Sequence, residues 1–159
     1  MKRVLVGMAL VVAGGLGMVS FSGAHDGKPM PLPDTKDVIA MRHYLMENVG
    51  DNMKEMGEKL KAGKIAEAKV NAQAITLHSL RVVELFPKGS TSETSKAKEE
   101  IWQKWDEFVK STDTLKTEAD RLVMAIGGGK ADEVGAQMKK VGGSCKGCHD
   151  SFRKPDEKK

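Results

Sequence analysis

The chain has 159 residues, 40% hydrophobic and 30% charged, which suits one domain with one real core. The formal net charge is +4, with both signs interspersed, and aromatics make up only 4%. Charge mixed in this way marks solvated helix faces, and the chain has no Lys/Arg block interleaved with aromatics, so a nucleic-acid partner is not expected.

Met1 to Ala24 reads as a secretory signal. Lys2 and Arg3 form a basic start, Val4 to Ser20 an apolar run broken by glycines, and Ser22-Gly23-Ala24 a small-residue exit. Cleavage after Ala24 leaves a domain of residues 25–159 in the periplasm. The glycines and the small-residue exit weigh against an uncleaved anchor helix. No other segment is long and apolar enough to span a bilayer, so stable membrane insertion of the mature chain is not expected.

His25 to Pro33 reads as an irregular arm, since Pro29, Pro31 and Pro33 discourage helix. A helix is expected from Asp34 or Thr35, both good caps, to about Ala62-Gly63-Lys64. Its stripe is Ile39, Arg42, Met46, Val49, Met53, Met56 and Leu60, with Arg42 as the polar intruder. A second helix fits Ile65 to about Phe86, followed by a Pro87 and Gly89-Ser90 loop. A third runs from about Lys96 to Ile126, with Ile101, Trp105, Phe108, Thr112, Leu115, Ala119 and Leu122 on one face, and stops at Gly127-Gly128-Gly129. The fourth, Ala131 to about Arg153, puts Val134, Met138, Val141, Cys145, Cys148 and Phe152 on one seam. Four helices with one apolar stripe each, joined by short loops and with no period-two alternation, predict an all-α antiparallel four-helix bundle.

Cys145-Lys146-Gly147-Cys148-His149 lies on the last seam. The order C-x-x-C-H is the attachment signature of a c-type haem. Each thiol adds to one haem vinyl group as a thioether, so both sulfurs must lie along one porphyrin edge. On a helix Cys145, Cys148 and His149 share a side, which lets the imidazole reach the iron. One covalent haem c through Cys145 and Cys148 is therefore expected, with His149 as a metal ligand. A zinc site lacks further ligands at suitable spacing, and a disulfide leaves His149 unexplained. A haem-free bundle with a redox-active Cys145/Cys148 pair remains a remote alternative. Loss of Lys2 and Arg3, plus two propionates, would bring the net charge close to zero.

These residues resemble the class II c-type cytochromes, the four-helix family that includes cytochrome c prime and its low-spin relatives. The likeness rests on Arg42-x-x-x-Met46, Gly50-Asp51-Asn52-Met53, Leu85-Phe86-Pro87, Ile101-Trp102 and the C-terminal placing of Cys145 to Arg153. It implies that His149 is the proximal ligand and that Met46 faces the opposite side of the iron. It further implies Arg42 near a propionate and Arg153 near the proximal side. Arg42 on a core stripe also fits a buried anion on physical grounds, the alternative being a packed stem with its head in water, and Arg153 could equally be a charge answering the dipole at the end of the last helix.

Function turns on Met46. Ligation by its sulfur gives a low-spin electron carrier with a raised potential, serving redox partner proteins. Packing without ligation gives a five-coordinate iron open to nitric oxide or carbon monoxide. Met53 and Met56 read as core filler, and His43 and His78 carry no assigned role. No acid/base constellation, nucleophile motif or phosphate loop points to an enzyme. A homodimer is implied by the resemblance, and Leu45, Leu77 and Val83 lie off the main stripes where a partner would cover them.

Overall fold

Asp37, rather than Asp34 or Thr35, caps the first helix. Its carboxylate accepts from the backbone N–H groups of Ile39 and Ala40, both at 3.0 Å, while Asp34 closes the preceding turn on Lys36. The structure, a computed structural model, describes residues 31–156. The expected signal segment and its cleavage site lie outside the described residues.

Helix α1 spans Val38–Lys61 and α2 spans Lys69–Ser79. The chain then reaches a four-residue turn, α3 (Glu100–Gln103), before the long α4 (Trp105–Gly128) and α5 (Ala131–Phe152). The second helix is shorter than its pattern suggested. Tighter turns at Ala66–Ala68 and Val83–Leu85 replace its two ends. The third expected helix is cut at Lys104, whose backbone leaves the helical region (φ −122°, ψ 48°), so Trp105 starts a fresh helix. Gly129, at φ 71°, ends α4 in the left-handed conformation that glycine adopts without cost.

Helix α1 packs on α2, α2 on α4, and α4 on α5, an antiparallel bundle with α3 as an appendix. Among the described residues the sole strand-like pairing is one antiparallel bridge, Ala97 with Arg153. Phe108 is the hub, with ring centroids 4.9 Å from Phe86 and 5.5 Å from Phe152, both edge-on. The predicted stripes of α4 and α5 are buried at Phe108, Thr112, Leu115, Ala119, Leu122, Ile126, Val134, Val141 and Phe152. Met138, Cys145 and Cys148 of the same stripes are half-buried, and Trp105 is exposed at the rim.

The α1 stripe is wider than expected. Met41 and Leu45 are buried beside Arg42, Val49 and Met56, while Met46, Met53 and Leu60 are half-buried. Leu45 therefore belongs to the chain's own core and is removed from the expected partner-facing residues. Leu77 stays 64% exposed.

The fourth edge of the bundle is not uniformly closed. Near the end of α1 a Cβ on Gly57 would lie 4.0 Å from the Met138 methyl, so α1 and α5 touch there. Toward the start of α1 and the end of α5 they part, and two cavities occupy the gap.

Candidate functional site

Stepping up α1 in helical register gives Arg42, Met46, Val49 and Met53. Stepping back along α5 gives Arg153, His149, Cys145 and Gly142. All eight line the gap between the two helices. The larger cavity, about 440 Å³, takes in Arg42, Met46, Phe86, Cys148, His149 and Arg153. The smaller, about 280 Å³, takes in Met46, Met53, Leu115, Cys145, Cys148 and His149. Met46, Val82, Cys148 and His149 line both, so the two spaces adjoin along one seam. Each cavity matches, or nearly matches, the range of about 300–1,000 Å³ that ligand sites occupy.

All six residues singled out from the sequence thus meet at one site. The thiols are half-buried and free, on the edge of the seam. Burial pushes both up, Cys148 to about 11, with neighbouring Cys145 adding to the rise. They are held as neutral thiols, whereas redox-active dithiols have depressed values. That environment speaks against the redox-pair alternative. His149 keeps solvent access, yet burial and then the Arg153 charge hold it below the usual histidine range, against an upward pull from Asp150. A neutral imidazole is the form that ligates metal. Among the described residues, no group of three or more His, Cys, Asp or Glu side chains gathers as a metal site.

Arg42 is 4% exposed. Its guanidinium donates to Leu85 O, to Ser90 O at 2.7 Å and to Ser90 Oγ, and its carbon lies 4.1 Å from the centre of the Phe86 ring. Burial pulls it down to about 10, which still leaves it a cation at neutral pH. The Trp102 indole N–H holds the same loop, donating to Phe86 O and Pro87 O at 3.1 Å. Arg42 therefore clamps the Leu85–Ser90 segment and sets Phe86 on the cavity wall. Its partners among the described residues are two carbonyls and a hydroxyl, and its place on the wall of the larger cavity is the one expected of a residue near a propionate. Arg153 faces the cavity with its guanidinium paired to both oxygens of Asp156, at 2.9 and 3.1 Å.

Sequence reasoning missed three wall residues. His43 is exposed and borders the larger cavity together with Lys96 and Glu47. Lys96 comes from the segment that bridges to Arg153, a pairing that no local pattern announces. His78 is apart from the site, half-buried on α2, and lowered by burial and by Arg81.

The donor set fits a covalently held haem: two thiols at one edge, an imidazole beside them, a thioether in the same cavities and apolar walls for the ring. Comparison with known sequences gives the same answer. The sequence model described as Cytochrome C' matches residues 37–153.

The chain belongs to the cytochrome c′ family.

It is 33% identical over 123 residues to the cytochrome c′ of Pararhodospirillum photometricum, covering 72% of this chain and 94% of that one. It is 32% identical over 126 residues to a cytochrome c-554 of Cereibacter sphaeroides, covering 75% and 82%. The solved cytochrome c prime of Shewanella frigidimarina superposes with a TM-score of 0.69 at 26% identity, over 79% of this chain and all of the other. This cytochrome c′ family member accordingly has the four-helix fold and one covalent haem c, for which Cys145 and Cys148 are the two attachment thiols.

Proposed function

We propose that this cytochrome c′ family member is an exported periplasmic protein, residues 25–159 after cleavage, whose iron is held by His149 and stays five-coordinate. Met46 then packs over the opposite side, and the site takes a small neutral gas, nitric oxide or carbon monoxide. The observation that carries this reading is the apolar wall around Met46: Val49, Met53, Val82, Phe86, Phe108 and Leu115. These six side chains carry no hydrogen-bond donor, and a neutral diatomic needs none; the donors of the lining, such as Arg42, His43 and Thr112, belong to the rest of the two cavities. Complexes with nitric oxide and with carbon monoxide are known for variants of the cytochrome c prime of Alcaligenes xylosoxidans.

The chain's own residues have distinct parts in this. Cys145 and Cys148 would tether the ring, and the apolar side chains of Phe86, Phe108 and Leu115 on the cavity walls would exclude water from it. The imidazole of His149 is kept neutral for ligation by burial and the nearby Arg153 charge. When bound, the haem supplies the iron that takes the gas or the electron.

A second reading has Met46 as the sixth ligand and the protein as an electron carrier. It is favoured by one fact: the Met46 side chain lines both of the cavities that His149 lines. A visible and near-infrared spectrum of the purified holoprotein decides between them. A high-spin ferric spectrum and rapid carbon monoxide binding to the reduced form are expected. A low-spin spectrum with the weak methionine–iron charge-transfer band would establish the carrier instead. Mass spectrometry of the same sample should give the polypeptide from His25 plus one haem, surviving denaturation.

A homodimer through the outer face of α2 belongs to the same proposal. Val70, Leu77 and Leu80 stand exposed there. One cytochrome c′ of the same fold, at 22% identity, shows ligand-controlled dimer dissociation.

A further inference from the structure

We propose that Lys98 is a positioning residue for His149, fixing the last turn of α5 so that the imidazole is held firmly toward the iron. This rests on the five-coordinate reading above and concerns what supports the ligand from behind.

His149 lies in the last turn of α5. The final four carbonyls of a helix are the ones left over at its end, so such a turn frays first unless something outside holds it. In α5 they belong to His149, Asp150, Ser151 and Phe152. His149 O accepts from Arg153 N at 3.0 Å. The other three turn to Lys98. Its ammonium donates to Asp150 O at 2.9 Å and to Ser151 O at 3.3 Å, and its backbone N–H donates to Phe152 O at 3.0 Å.

The chain after α5 has no local substitute for these bonds. The residue placed to serve Ser151 O is Pro155, which has no N–H. The one placed to serve Asp150 O is Lys154, whose N–H donates to Lys96 O at 2.7 Å. Nor does a glycine close the helix: Arg153 is extended, at φ −112° and ψ 132°, whereas α4 stops on left-handed Gly129. A short strap, residues 95–98, closes it instead, pairing antiparallel at Ala97 and Arg153. Ser95 anchors the strap. It is 2% exposed, its hydroxyl accepts from Ala97 N at 3.2 Å, and its carbonyl accepts from the Lys154 ammonium at 3.4 Å. Lys96, Ala97, His149 and Arg153 line the same cavity, so strap and ligand share one wall.

A lysine at a helix C-terminus ordinarily serves stability alone, through the dipole. Lys98 does more, because its ammonium bonds the two residues directly after His149. Bonds at that remove from an iron set the orientation of the side chain that ligates it.

The test is resonance Raman spectroscopy of the reduced holoprotein, reading the iron–histidine stretch in wild type, Lys98→Met, Lys98→Arg and Lys146→Met. Lys98→Met keeps the stem and the backbone N–H and removes only the ammonium. Lys146→Met removes an equal charge nearby, one that pairs with the Asp150 carboxylate at 2.5 Å and leaves the carbonyls alone. In Lys98→Met the band should broaden and move to lower frequency, since a loosely held imidazole makes a weaker bond over a wider range of angles. Protection of the Arg153 amide from hydrogen exchange should fall about tenfold, the size of one charge-assisted bond. Lys98→Arg should restore the wild-type band, and Lys146→Met should leave it unmoved. A stability loss in Lys98→Met with the band in place would make Lys98 an ordinary helix cap and overturn the proposal, as would an equal shift in Lys146→Met. Wild type alone gives a further check: the amides of Lys98 and Lys154 should be as protected as that of Arg153, and free exchange at Lys98 would overturn the strap. A haem-loaded wild type with no iron–histidine band would overturn the five-coordinate reading together with this proposal, and a wild type without haem would overturn the haem reading itself.

Discussion

Met46 lines both of the adjoining cavities, so its thioether would lie against the bound ring. A flexible, polarisable side chain in that position is an adjustable cover. Met46→Ala should therefore speed carbon monoxide binding on the order of tenfold, about 1.4 kcal/mol off the barrier. Flash photolysis of the reduced protein measures it. Glu55 has a different part, in a polar cluster between α1 and α2. Asn71, 2% exposed, donates to Glu55 Oε2 at 2.9 Å and accepts from Lys59, which also pairs with Glu55 at 2.8 Å. Burial works against the Glu55 charge, but the bonds from Lys59 and Asn71 and the Lys59 charge outweigh it, so its pKa lies below the usual 4.5. A depressed carboxylate contributes stability that is fully present above that ordinary value and is lost as pH falls through the folded one. Glu55→Gln should cost about 1–2 kcal/mol at pH 7 and flatten the acid limb of the stability curve, measured by urea unfolding across pH.

At the scale of elements, buried polar side chains set the register that apolar stripes leave loose. Asn71 ties α2 to α1, and Gln137 ties α5 to α4 through the Glu118 carbonyl at 3.0 Å and its carboxylate at 2.6 Å. The Leu85–Ser90 loop is held the same way, from α1 by Arg42 and from α3 by Trp102. Arg42→Met should strand Leu85 O and Ser90 O, lower stability by about 1–3 kcal/mol and raise hydrogen exchange in this loop first. The end of α4 gives a simpler case. Gly129→Ala puts a Cβ on a left-handed residue, and a loss of about 1 kcal/mol in thermal or denaturant unfolding is expected.

The molecule as a whole combines three tight helix–helix edges with one that opens toward the site. Helices α1 and α5 meet at Gly57 and Met138 and part at Met46 and His149. The gap at that level supplies apolar volume that would suit the ring. Its outer surface carries Val70, Leu77 and Leu80 on one side of α2, with no segment of the described chain to cover them. Single exposed apolar residues are ordinary, and it is their grouping along one helix that supports the proposed dimer face. Sedimentation at micromolar concentration should show a dimer that Leu77→Glu converts to monomer. Among the described residues no helix is long and apolar enough to cross a membrane.

Periodicity was enough to read the bundle, because each long helix must turn one stripe inward and the stripes of α4 and α5 have few polar interruptions. The spacing of Cys145, Cys148 and His149 was enough to read the haem, because thioether attachment and ligation from one helix face admit little else. Where α2 loosens into tighter turns and where α4 restarts at Trp105 were not legible. Around the Val83–Leu85 turn and the loop after it, Arg42 and Trp102 make hydrogen bonds across the bundle, at separations no local pattern records. The inward turn of Leu45, the carbonyl partners of Arg42 and the arrival of Lys96 beside Arg153 were likewise decided by packing. A sequence states which side chains share a helix face. Which face meets which, and how far apart two helices stand at a given level, depends on side chains distant in the chain competing for the same volume.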